Sequence, residues 1–537
     1  MRPSPARSPA HRVVLLTLVA LVALLALGPA SLAGARPARH VASPPGLPGD
    51  FDGDGEADIA IGVPTEDAGT VADAGSMNVL YGSGGGLASH ANQFWNQDSP
   101  DVLDQAETGD QFGFAAAVGD FNADGFSDLA VGVPFESIGS TASAGAVAIL
   151  YGSLAAGLTS DGNQFWSQDS PGVLDQAEAG DQFGSSVAVG DFNGDGFADL
   201  AVGVPGEDDH RGAVNVLYGS SGGLSSTGNQ LWSQDSAGVL GTGAANDSFG
   251  FALAPGDFGQ GTEDDLAAGV PYDDEVGPKN GGVVNVLYGS SAGLSDAGNQ
   301  LWSQDSAGVP DQTEQGDDFG RALAVTDMGN DTHADLAVGA PKEDLGTTKD
   351  AGGVNVLYGS DAGLTSTASQ FWAQGQDGIL GTASTGDEFG YSLVAAEFGN
   401  AQTVTVGDLA IGAPFDDDAG ATDAGVVNVI YGDVTGLRSG RNQLWSQNSP
   451  GVPGGSNEGD DFGFALGAGE FGNGPRWDLA IGVPGEDTGG SDGGKANVLY
   501  GFVHGGLTTT SAQLWGQNSD GILDQSEPGD EFGSALT

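Results

Sequence analysis

Three short loops of this sequence place acidic side chains at the spacing of a calcium-binding loop. The pattern is D-x-[DN]-x-D-G-x-x-D, in which positions 1, 3, 5 and 9 offer side-chain oxygens and position 7 a backbone carbonyl. Calcium takes about six to eight oxygen ligands, and a glycine at position 6 permits the sharp turn. The candidate ligands are Asp50, Asp52, Asp54, Glu56 and Asp58 in loop 1, Asp120, Asn122, Asp124, Phe126 and Asp128 in loop 2, and Asp191, Asn193, Asp195, Phe197 and Asp199 in loop 3.

The same loops can also be interpreted as Asx turns, in which aspartate oxygens accept hydrogen bonds from nearby backbone N–H groups. Without a metal, however, each loop would crowd three or four carboxylates. A like-charged pair at ~4 Å costs roughly 1–4 kcal/mol. Because a divalent cation removes this cost, we predict Ca²⁺ in all three loops, with an affinity near ~10⁻⁴–10⁻³ M. The pattern indicates a stabilising metal, since a catalytic metal needs an open coordination position beside a base or nucleophile.

Four further loops occupy the same place in the sequence pattern but have lost ligands. They are loop 4 (Asp257–Asp265), loop 5 (Asp327–Asp335), loop 6 (Glu397–Asp408) and loop 7 (Glu470–Asp478). Loop 4 has glycine at two ligand positions, loop 6 is three residues longer, and loop 7 contains Pro475 and Arg476. Loop 5 keeps three aspartates but has Gly329 at position 3 and Thr332 at the turn. We expect no tight site in loops 4, 6 and 7, and leave loop 5 open.

All seven loops belong to a unit of about 70 residues that recurs along the chain. Such units cannot bury a core alone and must stack against one another. Each unit has four short β-rich runs bounded by Gly, Ser, Asp or Pro, which is typical of a four-stranded propeller blade. In the third unit these runs are Phe183–Gly190, Ala198–Val204, Ala213–Tyr218 and Asn229–Gln234. No segment after residue 35 shows sustained helical periodicity, so we predict an all-β fold with almost no helix.

Aromatic residues recur at fixed places in the unit. Seven of the eight tryptophans lie in the fourth run, and seven of the nine tyrosines close the third. Such regularity indicates packing in and between blades rather than stacking on a ligand. The Asn-Gln pair that precedes most of these tryptophans is expected to satisfy backbone groups between blades.

The two ends of the chain carry complementary parts of one unit. The repeats begin at Asp50 without a first strand, and the last unit stops at Phe532–Thr537, short of its acidic loop. We predict that the C-terminal strand completes the N-terminal blade, which closes the ring without exposed edges. The expected architecture is a seven-bladed β-propeller of four-stranded blades over residues 50–537.

The N-terminal segment is typical of a secretory signal peptide. Arg2, Arg7 and Arg12 begin it, an apolar run follows over Val13–Leu27, and residues 33–35 fit a cleavage site. The run is shorter than the ~20 residues of a membrane span. We predict a signal peptide at 1–35, a flexible lead-in at 36–49, and a secreted protein without a membrane span in the mature chain.

The composition argues against two classes of partner. A formal charge of −59, from 73 acidic and 14 basic residues, repels nucleic acid and anionic membranes. The chain has no cysteine, so a secreted form must be held together by its core and by metals. We expect a monomer whose partner is an extracellular protein or glycan.

Phe-Gly, then an Asp-rich loop, then Gly-Val-Pro or Gly-Ala-Pro resembles the FG-GAP repeat of the integrin α-chain propeller and its bacterial secreted relatives. The resemblance covers residues 50–537. It implies a seven-bladed propeller, calcium in loops between the first and second strands of some blades, and extracellular recognition or adhesion. It also implies partner binding on the opposite face, which is acidic here, as at Glu66, Glu207, Asp104 and Asp110. The alternative interpretation of these acids is a solvated, charged rim.

Patterns that would indicate catalysis are weak. G-x-S-x-G occurs at Gly219–Gly223 and Gly289–Gly293, but in turns between strands rather than between a strand and a helix. The six histidines share no repeat position, so they do not indicate a zinc site or a catalytic triad. We therefore predict an adhesion-type module without catalysis. The alternatives are a carbohydrate-binding lectin and a polysaccharide-cleaving enzyme on the same propeller.

Overall fold

The structure is a computed structural model that describes residues 48–154, 156–274, 279–329, 331–399, 406–487, 492–503 and 505–537. The predicted signal peptide (1–35) and residues 36–47 of the predicted lead-in lie outside the described residues. Within the described ranges, no helix has the length and apolar character needed to cross a lipid bilayer.

Across the described residues, 28 strands form seven four-stranded antiparallel sheets, which we call blades 1–7. Blade 1 contains β1 (Ile59–Val63), β2 (Ser76–Tyr81), β3 (Ala88–Trp95) and the C-terminal strand β28 (Ala535–Leu536). Blade 2 contains β4 (Ala115–Gly119), β5 (Asp128–Val133), β6 (Ala146–Tyr151) and β7 (Thr159–Trp166). Blade 3 contains β8 (Ser186–Gly190), β9 (Asp199–Val204), β10 (Ala213–Tyr218) and β11 (Ser225–Trp232).

The remaining blades repeat this order. Blade 4 contains β12 (Leu253–Gly256), β13 (Asp265–Val270), β14 (Val283–Tyr288) and β15 (Ser295–Trp302). Blade 5 contains β16 (Ala322–Thr326), β17 (Asp335–Ala340), β18 (Gly353–Tyr358) and β19 (Thr365–Trp372). Blade 6 contains β20 (Ser392–Ala396), β21 (Asp408–Ala413), β22 (Val426–Asp433) and β23 (Gly436–Trp445). Blade 7 contains β24 (Leu466–Gly469), β25 (Asp478–Val483), β26 (Lys495–Phe502) and β27 (Gly506–Trp515).

The seven blades form a β-propeller, as the repeat predicts. First strands of neighbouring blades contact one another around the ring, and the fourth strands are the most exposed. The described helical structure is one four-residue turn, α1 (Glu207–His210), in which Asp208 and Asp209 have left-handed backbone angles. The Phe-Gly dipeptide lies before the first strand rather than in it: β8, for example, begins at Ser186, three residues after Phe183.

The ring closes through the C-terminal strand, which confirms the prediction from the incomplete end units. Strand β28 pairs with β1, with Leu536 opposite Ile61 and Ala535 opposite Gly62. The Thr537 hydroxyl accepts a hydrogen bond from the Ala60 N–H at 3.0 Å. Blade 1 is therefore built from both ends of the propeller, and every first strand among the described residues is paired with a second strand.

Side chains near the outer strands join each blade to the next. In blade 1, the Tyr81 hydroxyl donates to Gln93 Oε1 at 2.5 Å, and Gln93 Nε2 donates to the Leu158 carbonyl of blade 2 at 2.9 Å. The Leu103 N–H donates to Asn163 Oδ1 at 2.9 Å in the same way. These bonds confirm that the Asn-Gln pair satisfies backbone groups between blades.

The two glycines of the repeat motif meet where adjacent blades touch. Gly62, from Gly-Val-Pro of blade 1, lies so close to Gly113, from Phe-Gly of blade 2, that a Cβ at Gly62 would be 2.2 Å from the Gly113 carbonyl oxygen. Gly113 also has φ 92, which side-chain-bearing residues rarely adopt. Phe112 beside it is fully buried, a gain of about 1.5–3 kcal/mol per phenylalanine. The motif therefore encodes close contact between blades.

Candidate metal sites

Loops 1–3 lie at one end of the propeller, each leading into the second strand of its sheet. Loop 2 joins β4 to β5, loop 3 joins β8 to β9, and loop 1 precedes β1, which pairs with β28. The Gly/Ser turns between third and fourth strands lie beside them, since the Ser153 N–H donates to the Phe51 carbonyl at 3.0 Å and the Ser220 N–H to the Phe121 carbonyl at 3.2 Å. This end is the metal-loop face; the opposite end is the acidic face.

Loop 1 is folded around its first aspartate. Asp50 Oδ1 accepts the Asp54 N–H at 3.2 Å, and Asp50 Oδ2 accepts the Gly55 N–H at 3.0 Å. Asp52 Oδ1 accepts the Asp54 N–H at 3.0 Å. Gly55 has φ 95, so the turn needs glycine at position 6. Ligand oxygens of Asp50, Asp52 and Asp58 lie within 4.8 Å of one another.

Loops 2 and 3 repeat this arrangement with asparagine at position 3. Asp124 accepts the Phe126 N–H at 3.0 Å, while its own N–H donates to Asn122 Oδ1 at 2.8 Å. In loop 3, the Asp195 N–H donates to Asn193 Oδ1 at 2.8 Å. The amide oxygen of asparagine therefore takes the place of the Asp52 carboxylate, and it remains an oxygen donor suited to a hard cation.

The aspartate at position 9 has a structural role in every blade. Asp58 Oδ1 accepts the Gly82 N–H at 2.8 Å, and its Oδ2 accepts the Phe51 N–H at 2.8 Å. The same pair of bonds recurs in loop 4, where glycines replace two ligands, and in loop 5: Asp265 accepts the Gly289 and Phe258 N–H groups, both at 2.8 Å. The backbone hydrogen bonds therefore account for the aspartate at position 9 even in loops without a complete ligand set.

A ring of backbone hydrogen bonds links each loop to the preceding one. The N–H at position 8 donates to the carbonyl at position 1 of the loop before it. The pairs are Ala57–Glu470 (2.9 Å), Ser127–Asp50 (3.0 Å), Ala198–Asp120 (3.1 Å), Asp264–Asp191 (3.0 Å), Ala334–Asp257 (2.8 Å), Gly407–Asp327 (2.6 Å) and Trp477–Glu397 (3.2 Å). Each loop is thus hydrogen-bonded to the loop of a neighbouring blade.

Burial and crowding oppose ionisation of the loop carboxylates when no cation is present. Burial raises the pKa of Asp50, and the nearby Asp54 carboxylate adds to the effect. Burial also raises the pKa of Asp58, Asp128 and Asp199, each to about 8. A divalent cation would reverse these shifts, because it stabilises the ionised carboxylates that surround it.

Two of the loops that have lost ligands contain a basic side chain. Arg476 of loop 7 forms an ion pair with Glu397, the first residue of loop 6. In loop 5, His333 Nδ1 lies 3.1 Å from Asp331 Oδ1 and its Nε2 lies 3.4 Å from Asp361 Oδ1. The sequence shows Arg476, but its partner in another blade becomes visible only in the fold.

The donors fit the predicted cation. All 15 predicted residues lie in loops 1–3, and each loop offers oxygen donors only, as calcium prefers. Asp50, Asp52, Asp54 and Asp58 with the Glu56 carbonyl would hold the ion in loop 1, and the equivalent residues in loops 2 and 3. The metal assignment itself remains a prediction.

On the acidic face, buried acids bind a glutamine of the preceding blade. Glu136, which follows Gly-Val-Pro in blade 2, accepts a hydrogen bond from Gln97 Nε2 at 2.5 Å, and Glu207 accepts one from Gln168 Nε2 at 2.6 Å. Burial raises the pKa of Glu136 to about 8 and that of Glu207 to about 7. This glutamine, two residues after each tryptophan of the fourth strand, is a contact that the sequence analysis missed.

Arg321, which directly precedes β16, is buried among aromatic rings. The Arg321 guanidinium carbon lies 5.0 Å from the Tyr391 ring centroid and 5.7 Å from that of Phe251. Arg321 is 2% exposed, and Phe464 packs against Tyr391 with centroids 5.2 Å apart. Such cation–π contacts stabilise a desolvated arginine. Arg321 and the aromatic rings around it are therefore packed against one another.

Comparison with known proteins agrees with this fold. A family model described as "FG-GAP repeat" matches residues 46–76, 112–150, 183–217 and 319–357. The chain is 31% identical to integrin alpha-PS2 of Drosophila melanogaster and 34% identical to integrin alpha-3 of Cricetulus griseus. These alignments cover 42% and 35% of this chain, and 15% and 16% of the relatives.

A second kind of relative carries an enzyme's name. The chain is 35% identical to the phosphatidylinositol-glycan-specific phospholipase D of Bos taurus, over 34% of this chain and 21% of the relative. The chain thus spans at most about a fifth of the length of these curated relatives in the matched regions. Among solved structures, BBS1N in complex with ARL6DN has a TM-score of 0.37 at 10% identity, covering 83% of this chain and 91% of the other.

The family model matches the acidic loops and strands of blades 1, 2, 3 and 5, and the remaining blades repeat the same hydrogen-bonding pattern in the same ring. The chain therefore contains FG-GAP repeats within a seven-bladed propeller, and it is similar in sequence to integrin α chains.

Proposed function

We propose that this chain is a secreted, calcium-stabilised propeller that acts as an extracellular, adhesion-type binding module without catalysis. The observation that carries the proposal is the FG-GAP propeller together with its similarity to integrin α chains. The signal-like N-terminal segment supports secretion, and the oxygen-only loops 1–3 support calcium. The propeller supplies a rigid ring on which a partner can dock.

We assign partner binding to the acidic face. The loops after each Gly-Val-Pro carry exposed carboxylates there, including Asp67 and Asp274. A dense negative surface attracts basic protein segments and accelerates their association at low salt. The partner class that fits is an extracellular protein, with a glycan held by carboxylate hydrogen bonds as the second choice.

The test is a binding screen with the full chain immobilised in calcium. The probes are a panel of purified extracellular matrix proteins and a glycan array. Binding to a member of either panel, weakened by Asp67→Lys with Asp274→Lys, supports the proposal. The matched control is Asp361→Lys on the metal-loop face, where the carboxylate is also exposed. If Asp361→Lys alone abolished binding, the interface would lie on the metal-loop face, and the assignment to the acidic face would be wrong.

An enzyme is the second candidate, and the observation that favours it is the similarity to a phospholipase D. The same preparation is therefore assayed for cleavage of phosphatidylinositol-glycan anchors and of a polysaccharide panel. Turnover that disappears on substitution of acidic-face residues, without retention of any probe, would replace the adhesion proposal with an enzymatic one.

A further inference from the structure

Carboxylates from two different connections meet at four of the seven junctions between blades on the acidic face. One connection leads into Phe-Gly, and the other follows Gly-Val-Pro of the same blade. In each group the ligand oxygens lie within 4.8 Å of one another. The groups are Glu527, Asp530 and Glu66 at junction 7/1, Glu107, Asp110 and Glu136 at junction 1/2, Glu178, Glu207 and Asp208 at junction 2/3, and Glu314, Asp317 and Glu343 at junction 4/5.

Junction 4/5 contains a buried oxygen that no protein group satisfies. Asp317 is 1% exposed, and its Oδ2 accepts the Glu314 N–H at 2.5 Å. Its Oδ1 is buried and has no hydrogen-bond partner. Glu343, also 1% exposed, is held by Gln304 Nε2 at 2.6 Å. The hydroxyl of Thr313 in the same loop is a second buried oxygen without a partner.

An unsatisfied buried carboxylate oxygen beside two further carboxylates is costly. Leaving a buried acceptor unpaired costs about 1–3 kcal/mol, and more for a charged group. Moving Asp317 to relieve this would break its bond to the Glu314 N–H. Glu314 is exposed, so solvent ions can reach the group from outside. The arrangement offers oxygen ligands only, and a hard cation satisfies all of them together.

We propose that junction 4/5 binds a divalent cation of the calcium class through Glu314, Asp317 and Glu343. This site lies on the face opposite loops 1–3 and is separate from them. It goes beyond the proposed function, because it would join blades to one another rather than fold a single loop.

Junctions 3/4, 5/6 and 6/7 provide a comparison within the same chain. The position of Glu314 is taken by Ala244 at junction 3/4, Ser384 at junction 5/6 and Asn457 at junction 6/7. At junction 6/7, Lys495 Nζ lies 3.6 Å from Glu486 Oε1. One carboxylate is therefore missing at each of these junctions, and at one of them a lysine stands beside the buried acid.

The test is the calcium stoichiometry of the full chain, measured by equilibrium dialysis against Ca²⁺. Glu314→Ala copies the residue of junction 3/4, and Asp317→Asn keeps the shape of the side chain. Each is expected to bind one Ca²⁺ fewer per chain than the parent. Asp387→Asn, the matched substitution at junction 5/6, is expected to leave the stoichiometry unchanged.

A spectroscopic measurement keeps the proposal testable if Asp317→Asn fails to fold. Trp302 lies two residues before Gln304, so Tb³⁺ bound at junction 4/5 should show luminescence sensitised by tryptophan. Glu314→Ala should reduce this signal relative to Asp387→Asn. A folded Glu314→Ala variant with unchanged Ca²⁺ stoichiometry and unchanged Tb³⁺ luminescence would overturn the proposal. Because loops 1–3 are intact in every variant, that result would leave the proposed function standing.

Discussion

Loops 1–3 and loops 4–7 occupy equivalent places in seven similar blades, yet their acidic side chains have different neighbours. Loop 1 gathers Asp50, Asp52 and Asp58 with no cationic side chain among its predicted ligands. Loops 6 and 7 instead pair Glu397 with Arg476. The backbone frame is the same in both sets, since the position 8 to position 1 bonds continue around the ring. The loop therefore has a structural part, which all seven blades keep, and a part with the predicted calcium ligands, which varies.

This difference explains why the position 9 aspartate persists in all seven loops while positions 3 and 5 do not. Asp265 and Asp335 each accept two backbone N–H groups, so replacing either would leave buried donors unpaired. Gly259 and Gly261, in contrast, stand at ligand positions 3 and 5 of loop 4 without disturbing that frame. A loop can thus lose its metal ligands and still connect its blade to the next.

The largest expected effect is that of removing calcium from the whole chain. A ligand at about a hundred times its Kd stabilises the folded state by about 2.7 kcal/mol per site. Three sites in loops 1–3 would then contribute about 8 kcal/mol if the ring unfolds as a unit. Calorimetry in excess Ca²⁺ and in chelator should show a much lower Tm in chelator. Equal Tm values under both conditions would show that loops 1–3 behave like loops 4–7.

A pair of matched substitutions separates the two sets of loops. Asp120→Asn removes a charged ligand at position 1 of loop 2, and Asp257→Asn makes the same change in loop 4. We expect Asp120→Asn to lose up to about 2.7 kcal/mol of unfolding free energy in Ca²⁺ and much less in chelator. Asp257→Asn should have the same small effect in both.

The measurement is urea unfolding of both variants with and without Ca²⁺. A calcium-dependent loss in Asp257→Asn would mean that loop 4 binds the metal after all. If Asp120→Asn lowered the free energy of unfolding equally with and without Ca²⁺, loop 2 would be an Asx turn without a metal.

The blade count and the ring closure were predictable because the repeat spacing and the incomplete end units are properties of the chain itself. The positions of the acidic loops were predictable because their residue spacing spans only nine residues and needs no tertiary information. The Glu397–Arg476 pair was not, since its members are 79 positions apart in the numbering and meet only when blades 6 and 7 stack. The burial of Arg321 was hidden in the same way, because an arginine after Phe-Gly looks like a surface residue until Phe251 and Tyr391 surround it.

The third prediction concerns the stability cost of removing Arg476, which stands beside Glu397 where loops 1–3 have a predicted metal. Arg476→Ala leaves Glu397 partly buried without its cation, which we expect to cost about 2 kcal/mol, less than the ~3–5 kcal/mol of a fully buried pair. Adding Glu397→Gln should recover much of this loss, because no carboxylate then needs a partner. The double-mutant cycle is measured by urea unfolding in chelator. Additive effects of the two substitutions would show that the pair is not coupled.

On the acidic face, the aspartate directly before Phe-Gly also has a cationic neighbour in one blade and none in another. Asp318 has a cation there, with Lys342 Nζ at 2.8 Å, whereas Asp461 has no cation within ion-pair distance in the described residues. Burial raises the pKa of Asp461 well above its ordinary value, and Asp423 and Glu531 add to the shift. The folded state therefore holds the Asp461 proton more tightly than the unfolded state does. Stability from this group is complete below the unfolded pKa near 3.8 and is lost as the pH rises through the raised folded pKa.

Asp461→Asn removes this titration while keeping the shape of the side chain, and asparagine tolerates the left-handed backbone found there (φ 59). Burial disfavours the ionised carboxylate of the parent, so the variant should have a higher free energy of unfolding than the parent at pH 8. Near pH 4 the variant and the parent should unfold alike. Asp318→Asn is the control of opposite sign, because it strips Lys342 of its partner and should destabilise at pH 8. The measurement is urea unfolding of both variants at the two pH values, at fixed Ca²⁺. A loss of stability in Asp461→Asn at pH 8 would mean that the ionised Asp461 carboxylate is tolerated without a cationic partner.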